Sequence, residues 1–121
     1  PKNAKVNGFI NHRWNGVTTL HFAKLCYGWI TKDLAMAQVQ HLIPAGEIKK
    51  CDLLRCFAEN YSRTDLAINP VEASVVINRT LRTSSEKLNQ EMWFAAGYPQ
   101  APSVPEMVAE MAQYTHQFGT V

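Results

Sequence analysis

Three clusters of breaker residues divide this chain before any pattern of hydrophobicity is considered: Pro44-Ala45-Gly46, Asn69-Pro70, and Gly97-Tyr98-Pro99-Gln100-Ala101-Pro102. Proline removes a backbone donor and restricts the residue before it, and glycine lets the chain reverse, so no helix runs through these points. The chain must therefore build its core from short segments. Its 121 residues have room for one such core. With 46% hydrophobic and 18% charged residues, it is too apolar for a disordered segment. No apolar run reaches the ~18 residues of a membrane span and no signal-peptide pattern opens the sequence, so the expectation is a folded, cytoplasmic domain.

Periodicity inside the segments favours helices. Phe9 to Trp14, then Asn15-Gly16, then Val17 to Phe22 reads as two β-rich runs around a hairpin turn. A competing reading makes Asn15 or Thr18 a helix N-cap. Leu20, Ala23, Leu25, Cys26, Trp29 and Ile30 fit a 3.6-residue period, which predicts a helix from about Thr19 to Lys32 after a short hairpin or arm. Asp33 can cap a second helix through Leu34, Ala35, Val39, Leu42 and Ile43, ended by Pro44 to Gly46. A third runs from Glu47 to about Tyr61. Val71 to Arg82 reads as an amphipathic helix with Pro70 at its start, or as a strand around Val75 to Ile77. Thr83-Ser84-Ser85-Glu86 starts a helix to Ala96, and Ser103 caps a last one to about Gln117 with Pro105 in its first turn. The expected fold is mainly α, a five- or six-helix single domain over 1–121. It comprises a basic arm or hairpin at 1–18, a three-helix half at 19–62 and C-terminal helices at 70–118.

The formal charge of +2 conceals a gradient. Residues 1–32 carry Lys2, Lys5, Arg13, Lys24 and Lys32 with no acidic side chain, and residues 88–121 carry Glu91, Glu106 and Glu110 with no Lys or Arg. A basic front with Phe9 and Trp14 interleaved suits a phosphate-bearing surface, because each cation that neutralises a phosphate releases a counterion and aromatic faces can stack. An acidic protein would use it equally well. The acidic end is rich in Met92, Trp93, Phe94, Met107, Val108, Met111, Tyr114 and Phe118, which suits a core or an oligomer interface.

Most chemical motifs fail on inspection. Cys26, Cys51 and Cys56 are odd in number and lack a C-x-x-C spacing, which argues against a disulfide framework or zinc site and for reduced thiols. On one helix Cys51 and Cys56 lie about 140° apart and cannot bridge. His12, His21, His41 and His116 lack metal-binding spacing, and packing or surface roles are the simplest reading of them. A Cys-His pair of Cys26 with His41 or His116 ranks last among functional readings. There is no glycine-rich phosphate loop, nucleophile elbow or carboxylate cluster, so neither an enzyme nor a cofactor or metal is expected. A standard helix-turn-helix fails at Gly46 and at Gly97, where Leu42 and Trp93 occupy the position that must be small.

If Val76 to Arg82 is extended, alternation places Asn78, Thr80 and Arg82 on one face and Ile77, Arg79 and Leu81 on the other. Two helices follow. Over residues 76–118 this order resembles ribbon-helix-helix proteins, whose paired strands enter the major groove, although Arg79 on the inward face and the long loop depart from that pattern. The leading functional expectation is a DNA-binding regulatory or replication-accessory domain. Lys2, Lys5, Arg13, Lys24, Arg79, Arg82 and Lys87 would meet the phosphates, Trp14 would stack beside them, and Asn78, Thr80 or Arg82 would meet the base edges. The alternative is an adaptor that docks an acidic protein partner or uses its Met- and aromatic-rich C-terminal helices, with a homodimer through those helices expected in either case.

Overall fold

A computed structural model of the chain describes residues 2–35 and 39–114. It corrects the all-helical expectation. In order the elements are β1 (Lys5–Phe9), β2 (His12–Trp14), α1 (Thr19–Lys32), β3 (Ile48–Lys49), α2 (Lys50–Asn60), β4 (Ala67–Val71), β5 (Ile77–Arg79), α3 (Glu86–Ala95) and α4 (Val104–Tyr114). Four helices and five strands among the described residues make a mixed α/β fold.

The strands form two short sheets laid end to end along the same pair of chain segments. β1 pairs in parallel with β4, from Lys5↔Ala67 to Phe9↔Val71, and β2 pairs in parallel with β5, from His12↔Ile77 to Trp14↔Arg79. Between the two ladders Ile10 and Asn11 face the longer stretch 72–76, so the register slips there. β3 adds antiparallel to the other edge of β2. Parallel neighbours need a long crossover, which α1, β3 and α2 provide. Asn15-Gly16 thus makes no hairpin: β2 finds its partners far along the chain, and Val17 to Phe22 goes into the approach to α1 and its first turn.

Asparagine side chains fasten this ribbon where the ladder fails. Asn11 donates through Nδ2 to the Ala73 carbonyl (2.9 Å) and accepts from the Ala73 N–H (3.0 Å), the pairing a strand neighbour would make. Asn15 does the same with Leu81 (2.8 and 2.6 Å), and Asn89 with Ile43 (3.1 and 3.0 Å). Val71 to Arg82 is therefore the last residue of β4, then β5 set in irregular chain, since its backbone groups are taken by β1, β2, Asn11 and Asn15. Replacing the buried Asn15 with alanine leaves both Leu81 groups without their partner, and we expect a loss of about 1–3 kcal/mol in urea unfolding. An Asn15→Asp substitution keeps the acceptor for the Leu81 N–H but sets a carboxylate oxygen against the Leu81 carbonyl, and is expected to rescue less than half of that loss.

The helices that carry local start signals form where the sequence places them. Thr18 Oγ1 accepts from the His21 N–H (3.2 Å), Ser85 Oγ from Leu88 N–H (3.2 Å), and Ser103 and Glu106 exchange bonds in a capping box. The helix expected from Asp33 is absent from the described residues of that stretch. Asp33 instead ends α1 in the left-handed region (φ 50°), and Asn89 fixes irregular chain at Ile43 just before Pro44. Gly97, at φ 99°, ends α3 as the sequence suggests, with Tyr98 N–H returning to the Trp93 carbonyl (2.9 Å).

The core gathers Leu25 from α1, Ile48 from β3, Met92 and Trp93 from α3, and Val104, Met107 and Val108 from α4. The C-terminal apolar residues thus serve chiefly the chain's own interior, with Phe94 left outside. α1 and α3 meet at Gly28, where a Cβ would stand 2.6 Å from the Ala95 carbonyl oxygen. Only glycine lets the two backbones approach so closely.

Candidate functional site

Two regions gather chemistry, and a third feature ties them to the core. The first region is the β2–β5 ladder, which sets Arg13 opposite Asn78 and Trp14 opposite Arg79. His12, Arg13, Trp14, Lys50, Leu53, Ile77 and Arg79 line a cleft of about 330 Å³ there. Arg13 pairs with Glu47 (3.2 Å), both half exposed, and Lys50 sits over the Phe9 ring at 5.0 Å. Asn78 is turned to local duty, its Oδ1 accepting from the Thr80 N–H (3.0 Å) and hydroxyl (2.6 Å).

The remaining basic residues of the expected DNA surface lie elsewhere. Lys2 and Lys5 are exposed near and on β1, and Arg82 lies in the 80–85 segment with its carbonyl accepting from His41. Lys87 lines a groove between α1 and α3 together with Lys24. The nine residues therefore fall into several places and not one face. The ribbon-helix-helix order of one strand and two helices is present, but β5 spends one edge on β2 of its own chain.

The second region is the α1–α3 groove, with a volume of about 1200 Å³. Leu20, Ala23, Lys24 and Tyr27 form one wall at helical spacing from α1, and Lys87, Gln90, Glu91, Phe94 and Ala95 form the other from α3. Tyr27 and Phe94 are 72% and 71% exposed, far beyond what large aromatic rings show in an interior, and Ile30, three residues past Tyr27 on α1, is 73% exposed. Among the described residues nothing covers them.

Behind the groove lies a buried polar network that sequence inspection did not find. His21 is fully buried, and its Nδ1 meets Thr18 Oγ1 (2.5 Å) while its Nε2 meets Glu110 Oε2 (2.6 Å). Glu110 also accepts from the Tyr98 hydroxyl (2.5 Å) and from Lys24 Nζ (2.5 Å), and Lys24 reaches the Tyr98 hydroxyl as well (3.2 Å). One proton arrangement satisfies every atom: Thr18 donates to Nδ1, and a neutral His21 donates from Nε2 to an ionised Glu110. Burial holds His21 below its ordinary pKa, more than the Glu110 hydrogen bond and charge raise it. Burial alone would raise the Glu110 carboxyl, but the hydrogen bonds from Lys24, Tyr98 and His21 outweigh it and hold the group at about 2. Tyr98 is pushed up to about 12 by burial and by its bond to Glu110.

All these groups are mutually engaged, so the network is a tie between α1, α4 and the 97–102 loop. It commits Lys24, expected to meet phosphate, to Glu110. The one sequence signal for it is the spacing of Thr18, His21 and Lys24 along one face of a helix start. Cys56 is pushed up by burial and by neighbouring Glu59 and Asp52, which disfavours its thiolate. Among the described residues no group of His, Cys, Asp and Glu has the geometry to hold a metal ion, and no helix is long and apolar enough to cross a membrane. His116 and Phe118 lie outside the described residues. Comparison with protein-family models, with curated proteins and with solved structures finds no match to this chain.

Proposed function

We propose that this chain is a protein-interaction module that docks a partner polypeptide in the groove between α1 and α3. The observation that carries the reading is the pair of exposed aromatic rings, Tyr27 and Phe94, standing on facing helical stripes above an apolar floor. Folded monomers rarely leave so contiguous an apolar surface open to water unless something binds there. The surface differs from the one composition suggested. Trp93, Met92 and Met107 are buried, and the docking residues come from α1 and the outer side of α3.

The test uses 8-anilinonaphthalene-1-sulfonate as an apolar-surface probe, with sedimentation velocity to report self-association. The native chain is expected to bind the probe at neutral pH, and self-association would mark a second copy as the occupant. Phe94→Lys is expected to reduce either signal several-fold while leaving the far-UV circular dichroism unchanged. A monomer that shows neither behaviour removes the reading.

The register of β2 with β5 favours a second reading, binding of nucleic acid, because it sets Arg13, Trp14 and Arg79 around one cleft. Affinity for a DNA duplex is then expected to fall steeply with added salt. The Arg13→Ala/Arg79→Ala double variant should flatten the salt slope by about two. Absence of salt-sensitive binding to duplex or single strand at low ionic strength eliminates it.

A further inference from the structure

We infer that the occupant of the α1–α3 groove is a short amphipathic helix whose flanks carry aspartate or glutamate, an inference that rests on the docking reading above. Three features select this occupant. The first is the nature of the walls. Both are helices, whose backbone groups are bonded within themselves, so the groove offers no strand edge to an extended segment. An extended peptide would bring unpaired N–H and C=O groups against an apolar floor, whereas a helix arrives with its own satisfied. The groove also exceeds the ~300–1,000 Å³ typical of small-molecule pockets.

The second feature is charge. Lys24, Lys32 and Lys87 line the groove with Glu91 as the one acidic side chain among its lining residues. Lys24 is held by Glu110, which leaves Lys32 and Lys87 to face a partner. Acidic flanks complement that rim and basic flanks repel it. The third feature bears on a second copy of this chain. A two-fold pairing through this face would bring a rim dominated by the same lysines against itself, which disfavours self-docking. The α1 wall, 14 residues long, matches an occupant of about four turns.

The experiment measures fluorescence anisotropy of two fluorescein-labelled, lactam-stapled helical peptides of about four turns with the same leucine stripe. One carries glutamate flanks and the other lysine flanks, and both are titrated with the full chain. The glutamate peptide is expected to bind at least about tenfold more tightly, a difference of about 1.4 kcal/mol. Lys32→Glu/Lys87→Glu should reverse the preference, and Phe94→Lys should abolish binding of both peptides. Equal affinities, or a preference unmoved by the double charge reversal, overturn the acidic-flank inference. If neither peptide binds while the apolar probe still does, the helical occupant is wrong and the docking reading stands. Loss of probe binding and of self-association as well removes both.

Discussion

Trp93→Ala is expected to cost about 3–5 kcal/mol, the range for removing a fully buried aromatic side chain without collapse of the space it leaves. The indole is 0% exposed and packs edge-on against Tyr98 (5.4 Å between ring centres), with the His21 ring at 6.3 Å. Its Nε1–H donates to the Ile43 carbonyl at 2.8 Å, and the Asn89 amide shares that acceptor at 3.1 Å. Alanine therefore opens a cavity bordering both the apolar core and the polar network, while Ile43 keeps one donor. Trp93→Phe keeps most of the apolar volume and loses one hydrogen bond, so its cost should be nearer 1–2 kcal/mol. Since domains of this size are stable by about 5–15 kcal/mol, the alanine variant should unfold at much lower urea and the phenylalanine variant only slightly lower. Equal costs for the two would mean that the ring's packing is not what holds this region together.

Glu110→Gln is expected to produce the second large effect and to change how stability depends on pH. The carboxylate is about a quarter exposed and accepts from His21, Tyr98 and Lys24. Its carboxyl is lowered from 4.5 to about 2, so the folded state prefers the ionised form. That preference contributes stability of order 2–3 kcal/mol above pH 4.5, and the contribution is lost as pH falls from 4.5 through about 2. His21 is lowered from 6.5, so the unfolded chain takes up its proton first and stability already declines as pH drops below 6.5. Asp65, held low by Arg63 and the Asn3 N–H, has the same sign of acid dependence. The difference between the native chain and Glu110→Gln isolates the Glu110 part. At the alkaline end Tyr98 contributes stability that is lost as pH rises from 10.0 through about 12, and Lys24, raised above 10.5, acts in the same direction. Urea unfolding at pH 7, 5 and 3 should show the native chain losing stability in two steps and the variant, already weaker at pH 7, losing less below pH 4.5. A variant with the native acid profile would assign that profile to other carboxylates.

The elements legible in the sequence were those whose causes are local. Thr18, Ser85 and the Ser103–Glu106 pair each satisfy backbone donors within three residues, and the helices they start lie where they were expected. The strands were legible only in part: the β-rich run to Trp14 and the optional strand near Ile77 overlap β2 and β5, but β2, β3 and β5 are two or three residues long, too short for a period to fix bounds or pairing. Their partners also lie far along the chain, as His12 and Ile77 do. Asp33 was misassigned for a related reason. It is an acceptable cap residue, but Asn89 holds Ile43 in irregular chain where a helix was expected, and no window around residue 33 contains that interaction.

The candidate site was legible only as ingredients. Arg13, Trp14 and Arg79 come to line one cleft, with Asn78 in register with Arg13, through a pairing of β2 with β5 that the sequence did not suggest. Lys24 and Lys87 were singled out as phosphate contacts and instead border an apolar groove. Tyr27 and Phe94 were hidden because exposure depends on where α1 and α3 cross, which is set by the absence of a side chain at Gly28. Glu110 enters the sequence reading only as one acidic charge of the C-terminal segment, though one helix turn from buried Met107 it faces inward to His21.

The hold of Asn15 on Leu81 also bears on the chemical durability of the chain. An asparagine followed by glycine is the arrangement in which the next backbone nitrogen attacks the side-chain amide with least hindrance, closing a succinimide that opens to aspartate or isoaspartate. In the folded chain the Asn15 amide is buried and fixed at both ends by Leu81, turned away from that attack. Once the 80–82 segment detaches, the Asn15-Gly16 pair opens to that attack, and the product lacks the donor that holds the Leu81 carbonyl. Each opening that lasts long enough for the ring to close is thus recorded irreversibly in the covalent structure, and deamidation at Asn15 reads out how often this part of the fold comes apart.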